Sequence, residues 1–153
     1  MNSIQSIPRK LALAIFAFVA LFNTSFGASI GDMNKDALAA MKSGKWAEAQ
    51  AVLVKATNAY DSRAPQLYGP RFGWFWYHRG YCEIKLGMFG DAMKSFEKCY
   101  KRYPNTKPKE GQAASKNMYN KLSLLMWGHA AKGAEEGATS IRMYKKFLEE
   151  RAP

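Results

Sequence analysis

The sequence predicts an all-α protein: an α-α superhelix of about three stacked helical hairpins, six helices in all, behind an amino-terminal signal peptide. Three observations carry that prediction. Small and aromatic residues recur at matched intervals, apolar residues between them repeat at steps of three and four, and a short charge-free apolar run follows a basic start. The composition of the 153 residues agrees: 48% are hydrophobic and 14% aromatic, too apolar for a disordered polyelectrolyte.

In chain order, the export signal comes first. Arg9 and Lys10 precede residues 11–22, twelve apolar residues without a charge, and small residues follow at Ser25 and Gly27. This is the pattern of a removable signal occupying 1–27, and the run falls short of the ~20 residues that a membrane-spanning helix needs. Cleavage there leaves one domain, 28–153. The net charge falls from +11 to +9, because only Arg9 and Lys10 depart and all 12 acids remain. No cysteine follows the leader closely, which excludes a lipid on a new terminal cysteine. The expected location is outside the cytoplasm, periplasmic or secreted.

The hairpins come next. Trp76, Gly80, Ala92, Phe96, Cys99 and Pro104 define a frame of small and aromatic residues. Ala37, Gly44, Trp46, Ala49, Leu53 and Ala56 repeat much of it upstream, and Gly128, Ser140, Tyr144 and Phe147 repeat it downstream. Small residues such as Gly80 and Ala92 let two helix backbones approach closely. Gly87 breaks the chain between the helices, and Pro104 ends the second.

This frame resembles the tetratricopeptide repeat, a 34-residue helix–turn–helix unit that stacks into a superhelix. The resemblance is strongest over about 73–105 and is supported by copies at about 30–60 and 121–153. The central copy departs at Arg79 and Glu83, where the family usually has apolar and aromatic residues. The copies lie further apart than the family period, so 61–72 and 105–115 read as insertions, expected to be loops or extended helix ends. Residues 112–116 are also compatible with a lengthened following helix.

What the resemblance implies is a non-catalytic adaptor or scaffold binding a protein or peptide segment in a concave groove lined by first helices. Seven of the fourteen residues in 68–81 are aromatic. Trp74, Tyr77, Tyr81 and Lys85 share a helix face and are the expected groove contacts, with Leu125, Met126 and His129 of the third copy opposite them. The alternative is that these rings simply pack against the first copy and the 61–72 insertion. Exported repeat proteins of this kind further suggest a role in envelope assembly or coordination.

Charge and sulfur chemistry add further expectations. Residues 92–121 hold Lys94, Lys98, Lys101, Arg102, Lys107, Lys109, Lys116 and Lys121 against Glu97 and Glu110. This basic surface is the alternative binding site, suited to an acidic protein, lipid headgroups or a wall polymer. Nucleic acid is not expected, since no base-reading motif is present. Arg79 and Glu83, at i, i+4 on a core face, are expected to pair, capped by a tyrosine hydroxyl. Cys82 and Cys99 are expected to be buried free thiols rather than a disulfide, because they sit at different heights on paired helices. No metal, cofactor or catalytic residue is expected: no phosphate loop, metal motif or nucleophile elbow occurs, and Glu83 has no partner nucleophile. Ile141 and Leu148 fall on the face that a further repeat would cover, so a homodimer through the last helix is one expectation.

Overall fold

The computed structural model describes residues 29–105 and 117–151. The signal expected at 1–27, most of the second insertion and the helical extension considered at 112–116 lie outside the described residues. Among the described residues the chain is all helical, without a strand. Three hairpins follow one another: α1 (Ile30–Lys42) with α2 (Trp46–Tyr60), α4 (Gly73–Lys85) with α5 (Phe89–Arg102), and α6 (Asn120–Gly133) with α7 (Gly137–Glu149). The second helix of each hairpin packs on the first helix of the next, α2 on α4 and α5 on α6.

Local chemistry explains where these helices begin and turn. Ser29 and Asp32 form a reciprocal cap on α1, the Asp32 amide donating to Ser29 Oγ at 3.2 Å and the Ser29 amide to Asp32 Oδ2 at 3.3 Å. All three hairpins use one turn. The amides of Lys45, Met88 and Glu136 reach back five residues to the carbonyls of Ala40, Glu83 and Ala131, at 2.9, 2.8 and 2.8 Å. This closure needs a left-handed residue just before it, supplied by Gly44 at φ +68°, Gly87 at +74° and Glu135 at +62°. Glycine adopts that conformation freely, whereas Glu135 carries a Cβ–carbonyl clash of roughly 1–2 kcal/mol.

Within the hairpins, helix spacing is set by what opposes the small residue of each first helix. A Cβ on Gly80 would lie 2.8 Å from the Phe96 ring, and one on Gly128 would lie 2.5 Å from the Tyr144 ring. In the first hairpin the matching residues are Ala37 and Leu53, both fully buried in one core. A methyl group appears on one helix where the ring on the other shrinks to an aliphatic side chain, so the opposed volume stays in balance.

The first insertion differs from the expectation of a loop or an extended helix end. It folds as a short helix, α3 (Ala64–Leu67), followed by a 3-10 turn (Gly69–Phe72). Pro65 and Pro70 are tolerated because each falls at the start of its turn, where the backbone N–H has no helical partner to lose. Asp61 ties the insertion to the second hairpin: its Oδ1 accepts from Trp76 Nε1 at 2.8 Å and from the Tyr103 hydroxyl at 2.7 Å. Arg102 donates to the Asp61 carbonyl at 2.9 Å, and Lys98 approaches the other carboxylate oxygen at 3.7 Å. Buried Ala64 and Phe72 complete the anchorage.

On the outer face of α7, Ile141 and Leu148 are 58% and 65% exposed. The corresponding positions of α5, Met93 and Tyr100, lie in the apolar clusters that α5 shares with α6. Substituting Glu135→Gly should raise the stability of the protein by about 1 kcal/mol, because it relieves the strained third turn. Chemical denaturation checks this, with Gly87→Ala as the converse variant that should lose a similar amount.

Candidate functional site

Helix α4 carries the site on one face and a buried charge cluster on another. On the core side Arg79 and Glu83 pair as expected, with Arg79 Nε donating to Glu83 Oε1 at 2.9 Å. The cap is not a tyrosine. Ser95 Oγ donates to Glu83 Oε2 at 2.6 Å, and Arg79 Nη1 donates to Thr57 Oγ1 at 2.9 Å. The Thr57 hydroxyl in turn donates to the Leu53 carbonyl. The caps come from α2 and α5, one on each side of α4, and Arg79 also lies 4.9 Å from the Trp76 ring centroid. Glu83 is fully buried, and both of its oxygens are occupied by structural partners.

The opposite side of α4 faces α1 across an open cleft made of two adjoining cavities. The larger, about 510 Å³, lies among Asn34 and Leu38 of α1, Tyr68 and Arg71 of the insertion, Trp74, and residues 117–119. The smaller, about 310 Å³, lies among Met41, Lys42, Trp46, Tyr77, His78 and Tyr81. Trp74 and His78 divide them, stacked with ring centroids 4.2 Å apart. His78 Nδ1 lies 2.9 Å from the Trp74 carbonyl, so that nitrogen carries the proton. Burial holds the His78 pKa below the ordinary imidazole value, partly offset by that bond. Leu38 and Met118 are 36% and 75% exposed at the cleft.

The sequence-predicted groove residues divide into two groups. Trp74 borders the larger cavity and Tyr81 the smaller, while the Lys85 ammonium lies 5.7 Å from the Trp46 ring centroid and 5.4 Å from that of Tyr81. Tyr77 lines the smaller cavity but is half-buried, packed against Tyr119 at 4.6 Å and Phe96 at 5.7 Å. The third-copy residues are not brought to this cleft. Leu125 packs in the cluster that α6 shares with α7, Met126 in the cluster around Ala92 and Phe96, and His129 Nδ1 meets the Tyr144 hydroxyl at 3.1 Å. Sequence reasoning missed Trp46, Lys42, His78 and Arg71 as cleft residues. The available signal was the 61–72 insertion, which delivers Tyr68 and Arg71.

The basic stretch is less open than its sequence suggests. Lys94 pairs with Asp91 at 3.1 Å and Lys101 with Glu97 at 2.5 Å, while Lys98 and Arg102 approach Asp61 at 3.7 and 3.5 Å. The Lys98 ammonium also caps the Trp76 ring at 4.5 Å, and Lys121 donates to the Glu150 carbonyl. Lys107, Lys109 and Lys116 lie outside the described residues. The compensating acids Asp61 and Asp91 lie outside 92–121, which is why a local charge count overstated the field.

Cys82 and Cys99 are buried free thiols, and burial pushes both up to about 11. Cys99 Sγ donates to the Gly73 carbonyl at 3.3 Å. Among the described residues no three His, Cys, Asp or Glu side chains are grouped to hold a metal ion.

Residues 75–106, the span from Phe75 of α4 through all of α5, match the family model described as tetratricopeptide repeat. The matched segment is the central hairpin, and the similarity is to that repeat unit. No curated protein and no solved structure matches the chain. Proteins of that class are generally non-catalytic scaffolds that bind other proteins.

Replacing Arg79 alone should cost about 3–5 kcal/mol, because Glu83 is then left charged and buried with only Ser95 for company. Replacing both, as Arg79→Met with Glu83→Met, should recover most of that loss. Urea denaturation of the single and double variants decides whether the pair acts structurally.

Proposed function

We propose that this protein is a non-catalytic scaffold that binds a segment of a partner protein in the cleft between α1 and α4, and that it works outside the cytoplasm. The observation that carries the reading is the pair of adjoining cavities on either side of the Trp74–His78 stack. Rings this numerous normally bury one another, yet here they leave open apolar walls with Leu38 and Met118 accessible at the rim. An extended or helical segment gains apolar contact there without disturbing the hairpin core. Export is supported by the basic, apolar and small-residue order of positions 1–27, and a role in envelope assembly or coordination follows from that setting. The charge pair Arg79–Glu83 is excluded from this role by its saturated hydrogen bonding.

The test uses two accessible or half-exposed cleft positions, Leu38→Glu and Tyr81→Ala, in capture of proteins from envelope extracts. Both variants should keep the helical circular dichroism of the parent and lose at least about tenfold in captured partner. Undiminished capture by both would remove the cleft as the binding surface.

A further inference from the structure

We propose that the cleft takes an acidic segment, one with two apolar side chains seated on either side of the Trp74–His78 stack. The proposal rests on the scaffold reading above and adds the chemistry of the partner. Three cations border the cleft: Arg71 at the larger cavity, Lys42 at the smaller, and Lys85 over the Trp46 and Tyr81 rings. Among the described residues none of the three makes an ion pair, whereas Lys94, Lys98, Lys101 and Arg102 on the α5 side each approach an Asp or Glu within 4 Å. Among the described residues no Asp or Glu lines either cavity. Of the two acids of α1, Asp32 is turned back onto Ser29, whose hydrogen bonds hold its carboxyl below the usual range, and Asp36 lines neither cavity.

The consequence is a one-signed field over apolar walls. Low-dielectric walls focus such a field and strengthen attraction for an opposite charge, while a basic segment is repelled at each of three points. Apolar anchors are required as well. The two cavities, about 510 and 310 Å³, are each large enough to receive a side chain, and their walls are mainly aromatic and aliphatic. Asn34 adds a polar contact. It lines the larger cavity and its buried Oδ1 has no hydrogen-bond partner, so rotation of that amide toward the cavity offers an acceptor to a peptide N–H. An acidic, twice-anchored segment answers all three features.

The experiment selects binders from a random twelve-residue peptide library on the purified protein and measures the winning synthetic peptides by fluorescence anisotropy. Selected peptides should carry a net negative charge and two apolar residues, and their affinity should fall steeply with salt. The triple variant Lys42→Glu, Arg71→Glu, Lys85→Glu should lose at least about tenfold in affinity, and Lys94→Glu with Lys101→Glu should change it less than about twofold. Neutral or basic winners that Leu38→Glu abolishes would overturn the acidic partner and leave the scaffold reading intact. Equal binding of a polyglutamate peptide without apolar residues would overturn the anchors. An empty selection, or winners indifferent to both Leu38→Glu and the triple variant, would overturn the proposal and the scaffold reading together.

Discussion

The molecule depends on how closely α4 and α5 approach at Gly80. The Phe96 ring occupies the space that a β-carbon would take, 2.8 Å from where that carbon would sit. Close approach lets Phe96 be fully buried and lets Tyr77 lean on its edge at 5.7 Å. The rotation of α4 that this contact fixes sends Arg79 and Glu83 into the core and Trp74, His78 and Tyr81 toward α1. Core and cleft are two faces of one helix, and a single packing constraint orients both.

Charge is arranged to hold that orientation. Glu83 is gripped by Arg79 from its own helix and Ser95 from α5, and Arg79 is gripped by Thr57 from α2. A buried pair of this kind adds little net stability over apolar packing, but it penalises any register in which its partners are displaced. Asp61 does similar work for the insertion, gathering Trp76, Tyr103 and Arg102. The cations spent on these contacts are unavailable to a ligand, whereas Lys42, Arg71 and Lys85 beside the cleft make no ion pair among the described residues.

Much of the fold could be read from the sequence, because it is written in local spacing. Gly80, Ala92, Phe96 and Pro104 announce a hairpin through helix periodicity and chain breaks, and Arg79–Glu83 announces itself through an i, i+4 offset. Their caps, Thr57 and Ser95, were hidden because they arrive from other helices. The third turn was hidden because Glu135 stands in a left-handed position that glycine fills in the other two hairpins. The cleft was half legible. Trp74, Tyr81 and Lys85 follow from one helix face, but Trp46, Lys42 and Arg71 reach it only through tertiary packing. Leu125 and His129 were misplaced because α6 turns that part of its surface to α7, where Tyr144 fills the gap above Gly128.

The central claim is that the missing side chain at residue 80 and the ring at residue 96 are one fitted contact. A double-mutant cycle measures that directly: unfolding free energies of the parent, Gly80→Ala, Phe96→Leu and the pair. The account predicts that Gly80→Ala destabilises the parent but is tolerated beside Phe96→Leu, the combination met at Ala37 and Leu53, giving a coupling of about 1 kcal/mol or more. Strict additivity, with Gly80→Ala equally harmful beside leucine, would contradict it.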